Sequence, residues 1–113
     1  MANYFEDAHK YYYEEEDYDI DEAIKKYMYA AINGYVEAYY DLSFLYNDEY
    51  EDKAKAFEYM KLAADNGFEK AYYSLAEMYQ SKEYGNYSRK KAIDWYLKSE
   101  DDDSIDRIND CIS

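Results

Sequence analysis

The sequence predicts an all-α chain, an α-solenoid of about three helix–turn–helix repeats with a C-terminal capping helix. Three observations carry that reading. A 25-residue stretch from Glu22 recurs 33 residues later from Lys55. Within each copy the apolar residues fall three and four apart, which places them on one helix face. No segment alternates apolar and polar residues as a half-buried strand does.

The elements follow in order. A first helix is predicted over 4–15, a stretch dense in Tyr and Glu. Helices over 20–33 and 35–47 come from EAIKKYMYAAINGYVEAYYDLSFLY, and helices over 53–66 and 68–82 from KAFEYMKLAADNGFEKAYYSLAEMY. The two stretches share ten identities, Asn33–Gly34 and Asn66–Gly67 among them. Asn-Gly between two helical patterns fits a helix C-terminus, because glycine takes the left-handed backbone without a Cβ clash. A third copy begins KAIDWYLKSE at Lys91 and gives a helix over 89–99. A last helix is predicted over 104–111. Ser88 and Asp103 are suited to cap the helices after them. Acids stand four residues before lysines at Asp21/Lys25, Glu22/Lys26, Glu51/Lys55 and Asp94/Lys98, a spacing that supports helices. Such helical pairs have two sticky faces and must stack to bury them.

The chain of 113 residues is read as one domain: an acidic N-terminal segment 1–22, a repeat core 23–99 and an acidic C-terminal cap 100–113. Leu, Ile, Val and Phe make up only 17 residues, few enough with this charge to suggest disorder. The 19 tyrosines, four methionines and one tryptophan point instead to a folded domain, since each aromatic buries roughly 150–250 Å². Thirteen alanines let helices approach closely. Tyr27, Tyr46, Tyr59, Tyr79 and Tyr96 are the expected core tyrosines.

The net charge is −14. Residues 1–22 hold nine acids and one lysine, residues 23–99 twelve acids and eleven bases, and residues 100–113 six acids and one arginine. The middle is balanced and both ends are acidic. This charge disfavours nucleic acid and anionic membrane as partners. No apolar run is long enough for a membrane span or follows a basic N-terminus as a secretory signal. A single cysteine forms no internal disulfide. The expected location is cytoplasmic.

Little in the sequence points to catalysis. His9 is the only histidine and Cys111 the only cysteine. Cys111 lies between Ile108 and Ile112 and reads as a packing residue. No glycine-rich phosphate loop occurs. Asp17, Asp19 and Asp21 imitate the start of a calcium loop, but Glu22 stands where that loop needs Gly and Met28 where it needs Glu. The chain is therefore expected to be no enzyme, with no catalytic residue, metal or cofactor.

The run AADNGFEKAYYSLAEMY, residues 63–79, resembles the Sel-one-like repeat, a relative of the tetratricopeptide repeat. The shared pattern is an Ala-Ala pair, Gly three residues on, Ala four later, then Leu and Tyr at spacings of four. Trp95–Tyr96 after Lys91–Ala92 matches the second-helix pattern, and the resemblance covers roughly residues 20–99. Ser43 and Ala76 stand where the family often has Gly. The linking loops are short, which leans towards the tetratricopeptide geometry.

The resemblance implies a scaffold that binds other proteins. In such repeats the helix containing AYYDLSFLY or AYYSLAEMY lines the concave face. The implied face comprises Glu37, Tyr40, Phe44 and Asn47, then Lys70, Tyr73, Glu77 and Gln80, with Tyr4 and Tyr11 as N-terminal equivalents. Tyrosine suits such a surface, offering large contact area with few rotatable bonds. A solvated face without a partner is the bland alternative. Two functions follow. One is a small acidic inhibitor or immunity-type protein that neutralises a basic partner such as a toxin nuclease. Its steering field would come from Glu14, Glu15, Glu16, Asp17, Asp48, Glu49 and Glu100–Asp103. The other is an adaptor that holds a peptide or helix of another protein on its concave face.

Overall fold

Side-chain caps begin every second helix, and an Asn–Gly turn leads into two of the others. The computed structural model describes residues 19–100 and 102–112, which form α1 (Ile20–Ile32), α2 (Glu37–Glu49), α3 (Lys53–Asp65), α4 (Glu69–Gln80), α5 (Arg89–Ser99) and α6 (Asp102–Ile112). The predicted helix over 4–15 lies outside the described residues. Asp19 accepts from the Glu22 amide at 3.2 Å, Asp52 from Lys55 at 3.0 Å and Ser88 from Lys91 at 3.2 Å. These bonds satisfy amide donors that a helix start leaves open.

The two Asn–Gly turns are built alike. Gly34 (φ 101°) donates to the Ala31 carbonyl and Tyr35 to that of Ala30. Gly67 (φ 88°) and Phe68 repeat this with Ala64 and Ala63. Such paired bonds close a helix on carbonyls that would otherwise stay open. The side chains of Asn33 and Asn66 add a bond to the carbonyls of Tyr29 and Leu62. The end of α5 differs: Glu100 itself is left-handed (φ 54°). The next helix, α6, starts at Asp102, so Asp103 lies inside its first turn and is not its cap.

The sequence spacing pairs lysines with acids four residues before them. Lys25 instead bonds Glu22 one turn back at 3.4 Å, and Asp21 accepts from the Tyr50 hydroxyl. Lys55 stands 5.1 Å from the Tyr46 ring centre, and Lys98 lies over Tyr72 and Trp95. The high tyrosine content gives these cations aromatic faces.

The helices stack in sequence, each on the next, over 47 × 27 × 20 Å. The most intimate pairs are α2 with α3 and α4 with α5. They are joined through 50–52 and 81–88, so the packing unit is displaced by one helix from the unit that the sequence repeat suggests. Ser43 and Ala76 explain the closeness. Both are fully buried small residues, and Ser43 donates its hydroxyl to the Ala56 carbonyl at 2.6 Å.

One buried cluster joins α1 and α2 around Tyr27, Leu42, Leu45 and Tyr46; a second joins α3 to α6 around Met60, Leu75, Tyr79, Tyr96 and Cys111. Tyr27, Met60 and Tyr96 occupy equivalent repeat positions and are all fully buried. Tyr59, expected in the core, sits one residue off that register. It is half-buried and stacks on Tyr46 (5.4 Å between centroids) and Tyr39 (6.4 Å). The capping helix keeps the 33-residue register: Ala38, Ala71 and Ser104 are equivalent and all buried, as are Leu45, Met78 and Cys111. Burial raises the Cys111 thiol above its usual pKa, in keeping with a packing role. No helix among the described residues is long and apolar enough to cross a membrane.

Candidate functional site

The first helix of each pair contributes to one open cleft. Its volume is about 490 Å³. Phe44 from α2 lines it, with Ser74, Glu77, Met78 and Gln80 from α4, Tyr84 from the following loop and Arg107 from α6. Buried Met60 and Met78 supply apolar lining. Ser74 and Arg107 stand 33 residues apart, and Asp41 precedes Ser74 by the same interval. One helix position thus carries an acid, a hydroxyl and a guanidinium in successive repeats.

Phe44 is 40 % exposed. Tyr40 meets its ring edge-on at 4.8 Å and also packs on Phe68 at 5.1 Å. Half-buried Tyr73 lies edge-on to Tyr96 at 5.4 Å. The Tyr73 hydroxyl accepts from Arg107 Nε at 3.1 Å, and an Arg107 terminal nitrogen stands 3.9 Å from the Glu77 carboxylate. Partial burial raises the Glu77 pKa against the opposing pull of Arg107. The Tyr96 hydroxyl donates to Gln80 at 2.7 Å, which fixes the Gln80 amide. Burial, reinforced by the Glu77 charge, holds that hydroxyl protonated to well above its usual range.

The cleft brings together part of the expected face. Phe44, Glu77 and Gln80 line it, Tyr40 braces Phe44, and Tyr73 is tied in through Arg107. Glu37 and Asn47 lie outside its lining. Exposed Glu37 acts on Asp41, whose carboxyl is pushed up to about 7, chiefly by burial and further by the Glu37 charge. Asn47 ties α2 to α3, accepting from Lys53 at 2.7 Å. Lys70 is exposed outside the cleft. Tyr4, Tyr11, Glu14, Glu15, Glu16 and Asp17 lie outside the described residues. Asp48, Glu49, Glu100 and Asp103 are exposed.

Met60, Ser74, Met78, Tyr84 and Arg107 line the cleft without being placed on the face by sequence reasoning. The signal for Arg107 is the 33-residue interval running on through Ser104, which also makes α6 equivalent to α2 and α4. Tyr84 comes from an irregular loop, where the repeat has no counterpart.

No protein-family model, curated protein or solved structure matches this chain.

Proposed function

We propose that this chain is a non-catalytic protein-binding module that receives a peptide or helix of another protein in the cleft of α2, α4 and α6. One observation carries the reading: Phe44, a large aromatic side chain, stands exposed on the cleft wall, braced by Tyr40. A rigid aromatic beside fixed polar groups is the usual anchor of a protein interface. An apolar partner side chain meets Phe44 and Met78, while Glu77, Gln80 and Arg107 set its register. The resemblance to Sel-one-like repeats supports the same class, and a cytoplasmic location fits it.

A second reading is favoured by the charge. Net −8 over residues 1–22 and −5 over 100–113 suit an immunity-type inhibitor that neutralises a basic partner such as a toxin nuclease. Acidic ends speed encounter and aromatic anchors slow release.

The test is affinity capture from the native cell on the wild-type chain and on Phe44→Ala and Glu77→Lys variants, washed at low and then high salt. The module reading expects a stoichiometric partner lost from both variants. Equal recovery on all three chains would remove the cleft from the function. A basic partner released by salt selects the inhibitor; a neutral one retained at high salt selects the adaptor.

A further inference from the structure

The 33-residue register makes α6 the counterpart of α2 and α4, yet its outer face is finished differently. In the first pair, α3 covers Tyr39, Ser43 and Tyr46: Tyr59 stacks on Tyr39, and Lys55 lies over Tyr46 at 5.1 Å. In the second pair, α5 covers Tyr72, Ala76 and Tyr79: Trp95 packs on Tyr72 at 5.5 Å, and Lys91 lies over Tyr79 at 5.6 Å. The equivalent residues of α6 are Ile105, Asn109 and Ile112. Ile105 and Ile112 are each 65 % exposed, and Asn109 is exposed too. Among the described residues no helix covers this stripe.

We infer that the outer face of α6 docks one cationic amphipathic helix of another polypeptide, seated as α3 seats on α2 and α5 on α4. Both internal examples state the chemistry of that helix. Each begins at a side-chain cap, carries a lysine at its third position (Lys55, Lys91) and places an aromatic ring four residues on (Tyr59, Trp95). The lysine heads lie over the last residue of the covered stripe, and the ring packs on its first. Charge favours the same occupant. The α6 helix holds Asp102, Asp103, Asp106 and Asp110 against the single Arg107. The acidic segment 1–22 carries the same sign of charge as α6. This surface is separate from the cleft, which Arg107 faces from the same helix.

The experiment uses the full chain and a helix-stapled peptide of its own residues 88–100, SRKKAIDWYLKSE, added in trans and followed by titration calorimetry. The expected result is saturable binding that weakens as salt rises. Ile105→Asp and Ile112→Asp should each weaken it at least tenfold, with the circular dichroism spectrum unchanged. Phe44→Ala should leave it intact, and replacing Arg89, Lys90 and Lys91 of the peptide by Gln should weaken it. Absence of saturable binding up to about 1 mM peptide overturns the proposal, as does binding indifferent to Ile105→Asp. A wild-type dimer in sedimentation that Ile105→Asp converts to monomer would make a second copy the occupant and would also overturn it.

Discussion

Arg107 on α6 donates from Nε to the hydroxyl of Tyr73 on α4, and the Tyr73 ring in turn lies edge-on to Tyr96 of α5. One side chain thus links three helices through two different interactions. They separate by substitution. Tyr73→Phe removes only the hydroxyl of a partly exposed bond and should cost about 0.5–1.5 kcal/mol. Tyr73→Ala also removes the ring and should cost about 2–3 kcal/mol, since the ring is half-buried. Urea unfolding of both variants reads the difference. Equal losses would mean that the bond to Arg107 carries the whole effect and the ring contact with Tyr96 adds nothing.

Ser43 marks the closest approach of α2 and α3, fully buried with its hydroxyl on the Ala56 carbonyl. Ser43→Ala should lose about 1 kcal/mol or less, because Ala76 already fills the equivalent site between α4 and α5. Ser43→Leu forces extra methylene groups between two helices and should cost about 1–3 kcal/mol or more. Thermal melts of the two variants would be indistinguishable if the helix pair could spread at no cost.

What the sequence discloses and what it hides follow from the range of each interaction. Asn33–Gly34, Asn66–Gly67 and Ser88 act within a few residues of themselves, so their roles are legible one residue at a time. The helix pattern over residues 20–99 is legible because a core face repeats every turn. Which helices pair most closely is not, because that depends on Ser43 and Ala76 meeting residues of another helix. Tyr59 is misplaced for a related reason: its aromatic character suits core and rim alike, and only the register with Lys26 and Trp95 distinguishes them. Phe44 and Glu77 are legible as face positions. Arg107 is not, because a helix read only as a cap gives no reason to continue the repeat through it.

Gly67 tests the turn chemistry in isolation. It sits at φ 88°, and a Cβ added there would meet no atom within 4 Å. Any loss in Gly67→Ala therefore comes from the backbone and not from a clash. The expected cost is about 1–2 kcal/mol, and Gly67→Asn should cost less because Asn tolerates the left-handed region better. Chemical denaturation reads both. An alanine variant as stable as wild type would mean that the α3–α4 turn relaxes to another geometry.

Asp41 gives the fold a predicted dependence on pH. Its carboxyl is raised from 3.8 to about 7, first by burial and then by Glu37. The folded chain therefore holds a proton that the unfolded chain has released between these two values. Stability must fall as pH rises from about 4 to about 7, and the full penalty of a charged Asp41 remains above that. Asp41→Asn is neutral at every pH and escapes the penalty. It should melt higher than wild type at about pH 8, by an amount on the order of 1–3 kcal/mol after allowance for partial exposure. The gap should close as pH is lowered to about 4.5. All other titrating groups are common to both chains and cancel in the difference. A gap that stays constant from about pH 4.5 to 8 would show that the Asp41 carboxyl titrates in the same range in the folded and unfolded chains.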